Sequence, residues 1–484
     1  MHISRRKRKL LYRTRSVLSQ IVLAIFDLAT FNLGPLIAIL LVMSLWGNLD
    51  NYIPDAEIVS RLGAHFLLSL SCVVWFWARL RHYTYRKTFW FELKDILHTL
   101  AIFAVIDLAI IAFSKWHLSR YIWVFTWSSI LVLLPLFRFF AKVLLQRLNL
   151  WQKQCVIIGT GSNATDAFNA LHGETDLGLD IQYFFANHAI SSRQYLHGLP
   201  VIGDERLLWR TTDRRHTQYI IALDDGQEKL GEHWIKQLAM RRCTTVSVVP
   251  TMRGLPLNST DMSFIFRHEV LILRINSNLT KKSARFLKRS FDLCGSLLIV
   301  LLLSPLLLGL ALLVMRDGGP PIYGHTRVGR DGTPFKCLKF RSMIMNSQEV
   351  LARLLDNDPA AREEWQRDFK LKDDPRITKV GHFLRMSSLD ELPQLLNVIR
   401  GDMSLVGPRP VVTEELQRYG SNKEYYLMAK PGMTGLWQVS GRNNVDYDTR
   451  IYFDAWYVKN WSLWNDIAIL FKTIRTVLKR EGAY

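Results

Sequence analysis

The sequence predicts a three-part membrane protein: an α-helical bundle of four spans over 1–150, an α/β domain over 151–275, and a second α/β domain over 276–484 seated on its own membrane segment. Three observations carry this. Four apolar runs of spanning length fill the first third of the chain. A glycine-rich turn between a strand and a helix follows them, and an apolar segment broken at Ser304-Pro305 opens the last part.

Composition narrows the class. The 484 residues hold 62 Lys+Arg against 42 Asp+Glu, a formal charge of +20. Such an excess suits nucleic acid, a membrane surface or an anionic substrate. Yet 49% of residues are hydrophobic and 15 are tryptophan, and neither zinc-finger spacing nor a basic–aromatic RNA-binding motif is present. Nucleic acid is set aside, leaving a membrane and a phosphorylated substrate. The cysteines, Cys72, Cys155, Cys243, Cys294 and Cys337, form no C-x-x-C pair, which argues against structural zinc and a disulfide framework.

Arg5-Arg-Lys-Arg-Lys9 precedes the first apolar run, about 17–46, which is too long for a cleaved signal peptide. The next runs, near 59–80, 96–113 and 121–145, are each about the length that crosses hydrocarbon. Arg79, Arg81, Arg86 and Lys87 lie between the second and third, and Lys142, Arg147 and Lys153 follow the fourth. The loops at 47–58 and 115–120 carry fewer cations, so the positive-inside rule puts both ends of this unit in the cytoplasm. Asp27 and Asp107 fall within spans, where an acid either marks a polar pathway or, more often, hydrogen-bonds between helices.

Composition changes at Trp151. Cys155-Val-Ile-Ile-Gly-Thr-Gly-Ser-Asn-Ala164 reads as a strand, a glycine turn and a helix, and Gly159, Gly161 and Ala164 fit G-x-G-x-x-A. That pattern seats a pyrophosphate on a helix N-terminus. The next strand, near 181–185, ends in Ala186-Asn187, with no acid to hold a ribose hydroxyl. The expectation is a Rossmann-like domain without tight dinucleotide binding, its later strands near 201–203, 219–223 and 245–250. A regulatory or oligomerising role suits it, and a homodimer is left open.

A basic connector, 276–289, leads into the apolar segment 291–315. A fifth span would carry the remainder outside, whereas Lys281, Lys282, Lys288 and Arg289 before it and Arg316, Arg327 and Arg330 after it place both ends on one face. Pro305 removes a helix hydrogen bond and kinks the segment, allowing reversal. Beyond a charged, exposed stretch at 346–374 come Arg385-Met-Ser-Ser-Leu-Asp-Glu-Leu-Pro-Gln394 and Gly401-Asp-Met-Ser-Leu-Val-Gly-Pro-Arg-Pro410. Pro393 is tolerated only in a first helical turn, so a helix begins near Ser388. Asp390 and Glu391 then lie at a helix N-terminus, with Arg385 and Arg409 as cations suited to phosphate. Ser388-Leu-Asp-Glu391 also fits an ordinary capping box.

These strings, with Gly324-His-Thr-Arg-Val-Gly-Arg330, Lys339-Phe-Arg-Ser-Met343 and Lys430-Pro-Gly-Met-Thr-Gly-Leu-Trp-Gln-Val-Ser-Gly-Arg442, together resemble the signature of the polyprenyl-phosphate hexose-1-phosphate transferases, the monotopic phosphoglycosyl transferases of bacterial polysaccharide assembly. The resemblance runs from about 288 to 484, and likeness to the larger four-span members covers nearly the whole chain. It implies a monotopic catalytic domain with a re-entrant membrane helix, about 285–315, broken at Ser304 and Pro305. It implies transfer of hexose 1-phosphate from UDP-hexose to undecaprenyl phosphate, releasing UMP, at the cytoplasmic face of the bacterial inner membrane among its lipids. The product opens O-antigen, capsule or exopolysaccharide synthesis; galactose is the expected hexose and glucose the alternative.

On this resemblance Asp390 is the nucleophile, forming an aspartyl phospho-sugar, and Glu391 is its catalytic neighbour. Mg2+ is the expected cofactor, held by Asp390, Glu391 and Asp454. Arg385, Arg409, Lys339 and Arg341 are expected on substrate phosphates, the latter two alternatively on anionic headgroups. The tail, with Trp456, Tyr457, Trp461, Trp464, Lys472, Arg475, Lys479 and Arg480, suits a membrane interface, although core packing explains some of its tryptophans equally well.

Two other classes stay in view. A nucleotide-sugar dehydratase or epimerase would use the glycine turn with Tyr426-Leu-Met-Ala-Lys430, yet a membrane hairpin separates the two and Pro431 follows directly. A non-catalytic scaffold of a polysaccharide assembly line would turn over no nucleotide sugar.

Overall fold

A computed structural model describes residues 5–47, 49–186, 195–251, 260–265, 270–275, 279, 281–316, 318–358, 362, 374–440 and 446–478. Asn187, Arg442, Lys479, Arg480 and most of the charged stretch after 358 lie outside the described residues. The chain divides into two compact units, Met1–Arg253 and Gly254–Tyr484.

In the first unit, α1 (Arg5–Trp46), α2 (Asp55–Ala78), α3 (Phe89–Phe113) and α4 (Arg120–Arg147) are each long and apolar enough to cross a membrane. Short connections make neighbours antiparallel. Their outward faces are apolar, with Val59 80% exposed and Leu40, Leu67 and Val105 also bare, a pattern suited to lipid. Polar groups are turned inward instead. Arg138 donates to Asp27 through Nε at 2.7 Å and Nη2 at 2.6 Å, and through Nη1 to Glu92 at 3.0 Å and His82 Nδ1 at 2.8 Å. Tyr83 donates to Asp27 at 2.6 Å, and Lys142 pairs with Glu92. Asp107 accepts from Trp127 Nε1 at 2.9 Å, joining α3 to α4. Both intramembrane acids therefore tie helices together.

A parallel sheet completes this unit: β1 (Lys153–Ile158), β2 (Leu179–Phe185), β3 (Tyr195–Leu196), β4 (Leu199–Ile202), β5 (Gln218–Ile221) and β6 (Val246–Val248). Their order is β3-β4-β2-β1-β5-β6, with only the β3–β4 pair antiparallel. Every residue of β1 is buried, as both faces of a parallel sheet are covered by helices. Those helices are α5 (Ser162–Gly173), α6 (Glu205–Thr211) and α7 (Glu228–Met240).

The second unit opens with a hairpin, β7 (Thr260–Ile265) and β8 (Val270–Ile275), and then α8 (Lys282–Met315). This helix is continuous through Pro305, where the sequence suggested a break. Pro305 cannot donate to the Leu301 carbonyl four residues back, and the Ser304 hydroxyl donates to that carbonyl instead, at 2.9 Å. A hydroxyl replacing a lost N–H is how apolar surroundings tolerate a helical proline. An antiparallel pair, β9 (Ile322–Val328) and β10 (Pro334–Phe340), follows. Then come α9 (Ser347–Asn357), with no buried residue, α10 (Lys379–Met386), α11 (Gln394–Arg400), and the parallel pair β11 (Ser404–Val406) and β12 (Gly432–Thr434). Last are α12 (Tyr447–Lys459) and α13 (Leu463–Leu478). Tyr457 and Trp461 are buried in the main core of the unit with Leu395, Val398 and Val406. For these two, packing rather than a membrane interface explains the aromatic tail.

The Arg138 cluster yields a stability prediction. Replacing Arg138 by Leu leaves Asp27 and Glu92 buried without their guanidinium, a loss of about 3–5 kcal/mol. The detergent-solubilised Arg138→Leu protein should aggregate several degrees below the native one on heating. An unchanged transition would mean that the cluster carries no weight.

Candidate active site

The acidic pair is displayed by a turn that ordinary helix chemistry does not make. After α10, Ser388 adopts a left-handed conformation, φ 56°, which swings the chain around. Leu389–Glu391 form one 3₁₀ turn that runs through Pro393 into α11. The capping-box reading is corrected: the Ser388 side chain caps nothing, since a cap needs the extended conformation that Ser388 lacks. Leu389 and Leu392 pack against Leu310, Val314, Phe340 and Leu384. That apolar anchoring leaves the two acids on the polar side of the turn.

Lys339 stands between them, its Nζ 2.7 Å from Glu391 Oε1 and 3.6 Å from Asp390 Oδ2. Burial pushes the Asp390 carboxyl above the ordinary aspartate range, Lys339 and Arg385 pull it down, and Glu391 pushes it up; the net shift is upward. Burial alone would weaken the charge on Lys339, but Glu391 and Asp390 outweigh it and raise its pKa. The ammonium is therefore secure between its carboxylates. Arg385 lies beside Asp390 and donates from Nε to Ser342 Oγ at 3.0 Å.

Three residues that the sequence reading did not assign to the site hold this geometry. Asn397, fully buried in α11, accepts from the Leu338 N–H at 2.9 Å and donates to the Lys336 carbonyl at 2.8 Å. It thereby pins β10, and Lys339 with it, against the helix that carries the acids. Its signal was a lone amide inside the apolar run Leu395-Leu-Asn-Val-Ile399. Gly401, at φ 99°, ends α11, a conformation glycine adopts without strain. Arg289 of α8 donates to the freed Val398 and Ile399 carbonyls at 2.5 and 2.7 Å, a cation where the helix dipole favours one.

The other expected site residues have partners of their own. Arg341 donates to the Val314 and Pro320 carbonyls at 3.1 and 3.0 Å, closing the end of α8. Arg409 lies over the Trp437 ring, 5.3 Å from its centroid, and beside Asp454. Asp454, 2% exposed, accepts from the Tyr419 hydroxyl at 2.8 Å, and burial pushes its pKa up to about 7. Among the described residues no three His, Cys, Asp or Glu side chains gather as metal ligands. Asp454 thus stands apart from the expected magnesium set. Asp390 and Glu391 still fit magnesium, which takes one or two carboxylates beside substrate phosphates. Lys339 already marks the position between them where positive charge is favoured.

The glycine turn of the first unit is filled by the protein itself. Asp224 Oδ1 accepts from the Asn163 N–H at 2.8 Å and the Ser162 hydroxyl at 3.1 Å, occupying the α5 N-terminus where a pyrophosphate would sit. A Cβ on Gly161 would lie 1.5 Å from Asp224 Oδ2, so this glycine admits a carboxylate of the chain. In the second unit the Tyr426 hydroxyl is committed to the Val328 carbonyl at 2.8 Å, leaving the dehydratase-like Tyr–Lys pair without a free phenol.

A profile described as bacterial sugar transferase matches residues 283–480. The chain is 55% identical over 477 residues to a UDP-galactose-lipid carrier transferase of Erwinia amylovora, covering 99% of this chain and 100% of that one. It is 56% identical over 467 residues to an undecaprenyl-phosphate galactose phosphotransferase of Salmonella typhimurium, covering 96% and 98%. Over 198 residues it is 56% identical to the exopolysaccharide production protein ExoY of Sinorhizobium fredii, 41% of this chain and 88% of the relative.

Asp454 makes the stability of the fold depend on pH. Its folded pKa, about 7, lies above the ordinary aspartate value, so the folded state binds the proton more tightly. The stabilisation is complete at low pH and is lost as pH rises through about 7. Between pH 6 and 8 the native protein should lose about 1 kcal/mol from this group. Denaturant titrations at the two pH values should show that loss shrinking in Asp454→Asn; an equal loss in both proteins would refute the assignment.

Proposed function

Because this chain belongs to the bacterial sugar transferase family, we propose that it transfers galactose 1-phosphate from UDP-galactose to undecaprenyl phosphate, forming undecaprenyl-diphosphate-galactose and releasing UMP. The observation that carries this reading is identity above one half along nearly the whole of two relatives named for galactose transfer to a lipid carrier. ExoY, 88% of which is matched by 41% of this chain, and the family profile over 283–480 together support placing the chemistry in the second unit. This reaction begins the membrane stage of polysaccharide synthesis.

In the mechanism, an Asp390 carboxylate oxygen attacks the β-phosphorus of UDP-galactose. An O–P bond forms, the bond from that phosphorus to the bridging oxygen breaks, and UMP departs with the electron pair. The galactosyl phosphate is held as an acyl phosphate on Asp390. An oxygen of the lipid phosphate then attacks the same phosphorus and returns the carboxylate. Both steps bring anions together, so neutralisation lowers the barrier most. Lys339 and Arg385 supply fixed positive charge beside Asp390, while Glu391 holds Lys339 in place. Bound magnesium, held by Asp390, Glu391 and substrate oxygens, would supply further charge neutralisation.

The membrane seating belongs to the same proposal. Both ends of α8 pack on one body: Arg289 and Lys288 on α11 and β11, and Leu310 and Val314 on β10 and α10. Leu297, Leu298, Leu301 and Leu302, between them, are exposed. A helix bound at both ends to one domain, with a bare apolar middle, supports re-entry from the cytoplasmic leaflet of the inner membrane. We further read the parallel sheet as a Rossmann-like middle domain of 151–275 in a three-part chain, serving regulation or homodimer assembly.

Mass spectrometry of enzyme mixed with UDP-galactose alone should show a galactosyl phosphate adduct on Asp390, absent from Asp390→Asn; an adduct on the variant would overturn the assignment. With undecaprenyl phosphate added, UDP-galactose should release UMP faster than UDP-glucose does. The raised pKa of Asp390 puts the acid limb of kcat/KM above the ordinary aspartate range. Lys339→Met removes a cation that lowers that pKa, so the limb should move to higher pH while activity falls about 10²-fold or more. A limb that moves to lower pH would contradict the charge arrangement.

A further inference from the structure

Where the first unit passes from helices to sheet, a partly buried arginine and a buried lysine are paired with no carboxylate among the described residues. Arg86, in the 79–88 connection, lies over Trp151 with its Cζ 3.3 Å from the ring centroid. Its Nη2 donates to the Trp151 carbonyl at 3.1 Å, while Nε and Nη1 are buried with no partner among the described residues. Lys153, 4% exposed at the start of β1, donates to the Thr84 carbonyl at 2.9 Å. The acids nearby are taken. Glu92 is paired with Arg138 and Lys142, and Asp95 with Lys87 and His82. Burial lowers the pKa of Arg86 to about 9, and burial with Arg86 alongside lowers that of Lys153 to about 7.

Unpaired buried cations are costly and are retained where an anion arrives. Arg86 also lines a cavity with His82, Lys87, Glu92, Lys142 and Trp151, whose cations outnumber its one acid. We propose that this cavity binds a phosphate oxyanion, with Arg86 as its main donor and Lys153, close behind it, as the second cation without a carboxylate. Guanidinium donors match phosphate oxygens in geometry and charge. The phosphate can come from a phospholipid headgroup or from solution. The adjoining start of α3, with Phe89 and Phe91 exposed, puts the cavity level with headgroups and favours the lipid.

The test uses the full-length protein in nanodiscs, with thermal unfolding followed by tryptophan fluorescence. One arm is phosphatidylcholine alone, the second adds phosphatidylglycerol, and the third adds inorganic phosphate to phosphatidylcholine discs. Phosphatidylglycerol should raise Tm by about 3 °C in the native protein and in the exposed-site control Lys236→Met, and by far less in Arg86→Met. A rise in the phosphate arm that Arg86→Met abolishes supports the same site filled from solution. No rise in either arm, or an equal rise in Arg86→Met, overturns the proposal. Should Arg86→Met fail to fold, Arg86→Lys, which keeps the charge but loses the guanidinium, is expected to show about half the rise; an undiminished rise overturns the proposal equally.

Discussion

The second unit depends on one buried ammonium. Lys288, near the start of α8, donates to Asp466 at 2.8 Å, to the Val406 carbonyl at 3.1 Å and to the Tyr457 hydroxyl at 3.3 Å. Tyr457 and Trp461 also donate to Asp466, at 2.7 and 3.0 Å. A charge out of water is tolerable only when it is paired and its hydrogen bonds are complete. Lys288 meets that demand with groups from α8, β11, α12 and α13 together. The next residue, Arg289, closes α11, and one turn on Asp292 accepts from the Leu405 N–H at 3.2 Å. The membrane helix is thus bonded directly to the frame that holds the acidic pair.

From that frame the site follows by short steps. Arg289 and Gly401 fix the end of α11, Asn397 fixes β10 against it, and β10 delivers Lys339 to Asp390 and Glu391. Each step is a polar contact within apolar packing, so a displacement at one leaves a buried group unsatisfied. On the proposed mechanism, this geometry couples activity to membrane attachment, which suits a reaction joining a soluble donor to a lipid acceptor.

The first unit applies the same rule to other ends. Its bundle turns charges inward and apolar side chains outward, with Arg138 answering two acids from different helices. Its sheet keeps a nucleotide-type glycine turn but fills it with Asp224. The turn was visible in Gly159-Thr-Gly161; the carboxylate that fills it lies more than sixty residues later, and no local pattern announces it.

By itself the sequence determined the apolar runs, the strand-turn-helix at Gly159, the Ser304-Pro305 pair, and the clustering of Asp390, Glu391, Arg385 and Lys339 as charged residues of one motif-bearing region. Those are local properties: period, length, turn chemistry and residue type. Tertiary structure alone decided that Ser388 is left-handed rather than a cap, and that Lys339 faces the acids while Arg341 closes a helix. It also bonded Asp454 to Tyr419 and, among the described residues, left Arg86 and Lys153 unpaired with an acid. Each of those outcomes turns on which distant groups share a buried space. Charge and hydrogen-bond demand are set by that neighbourhood, and residues far apart in the chain meet only when it folds.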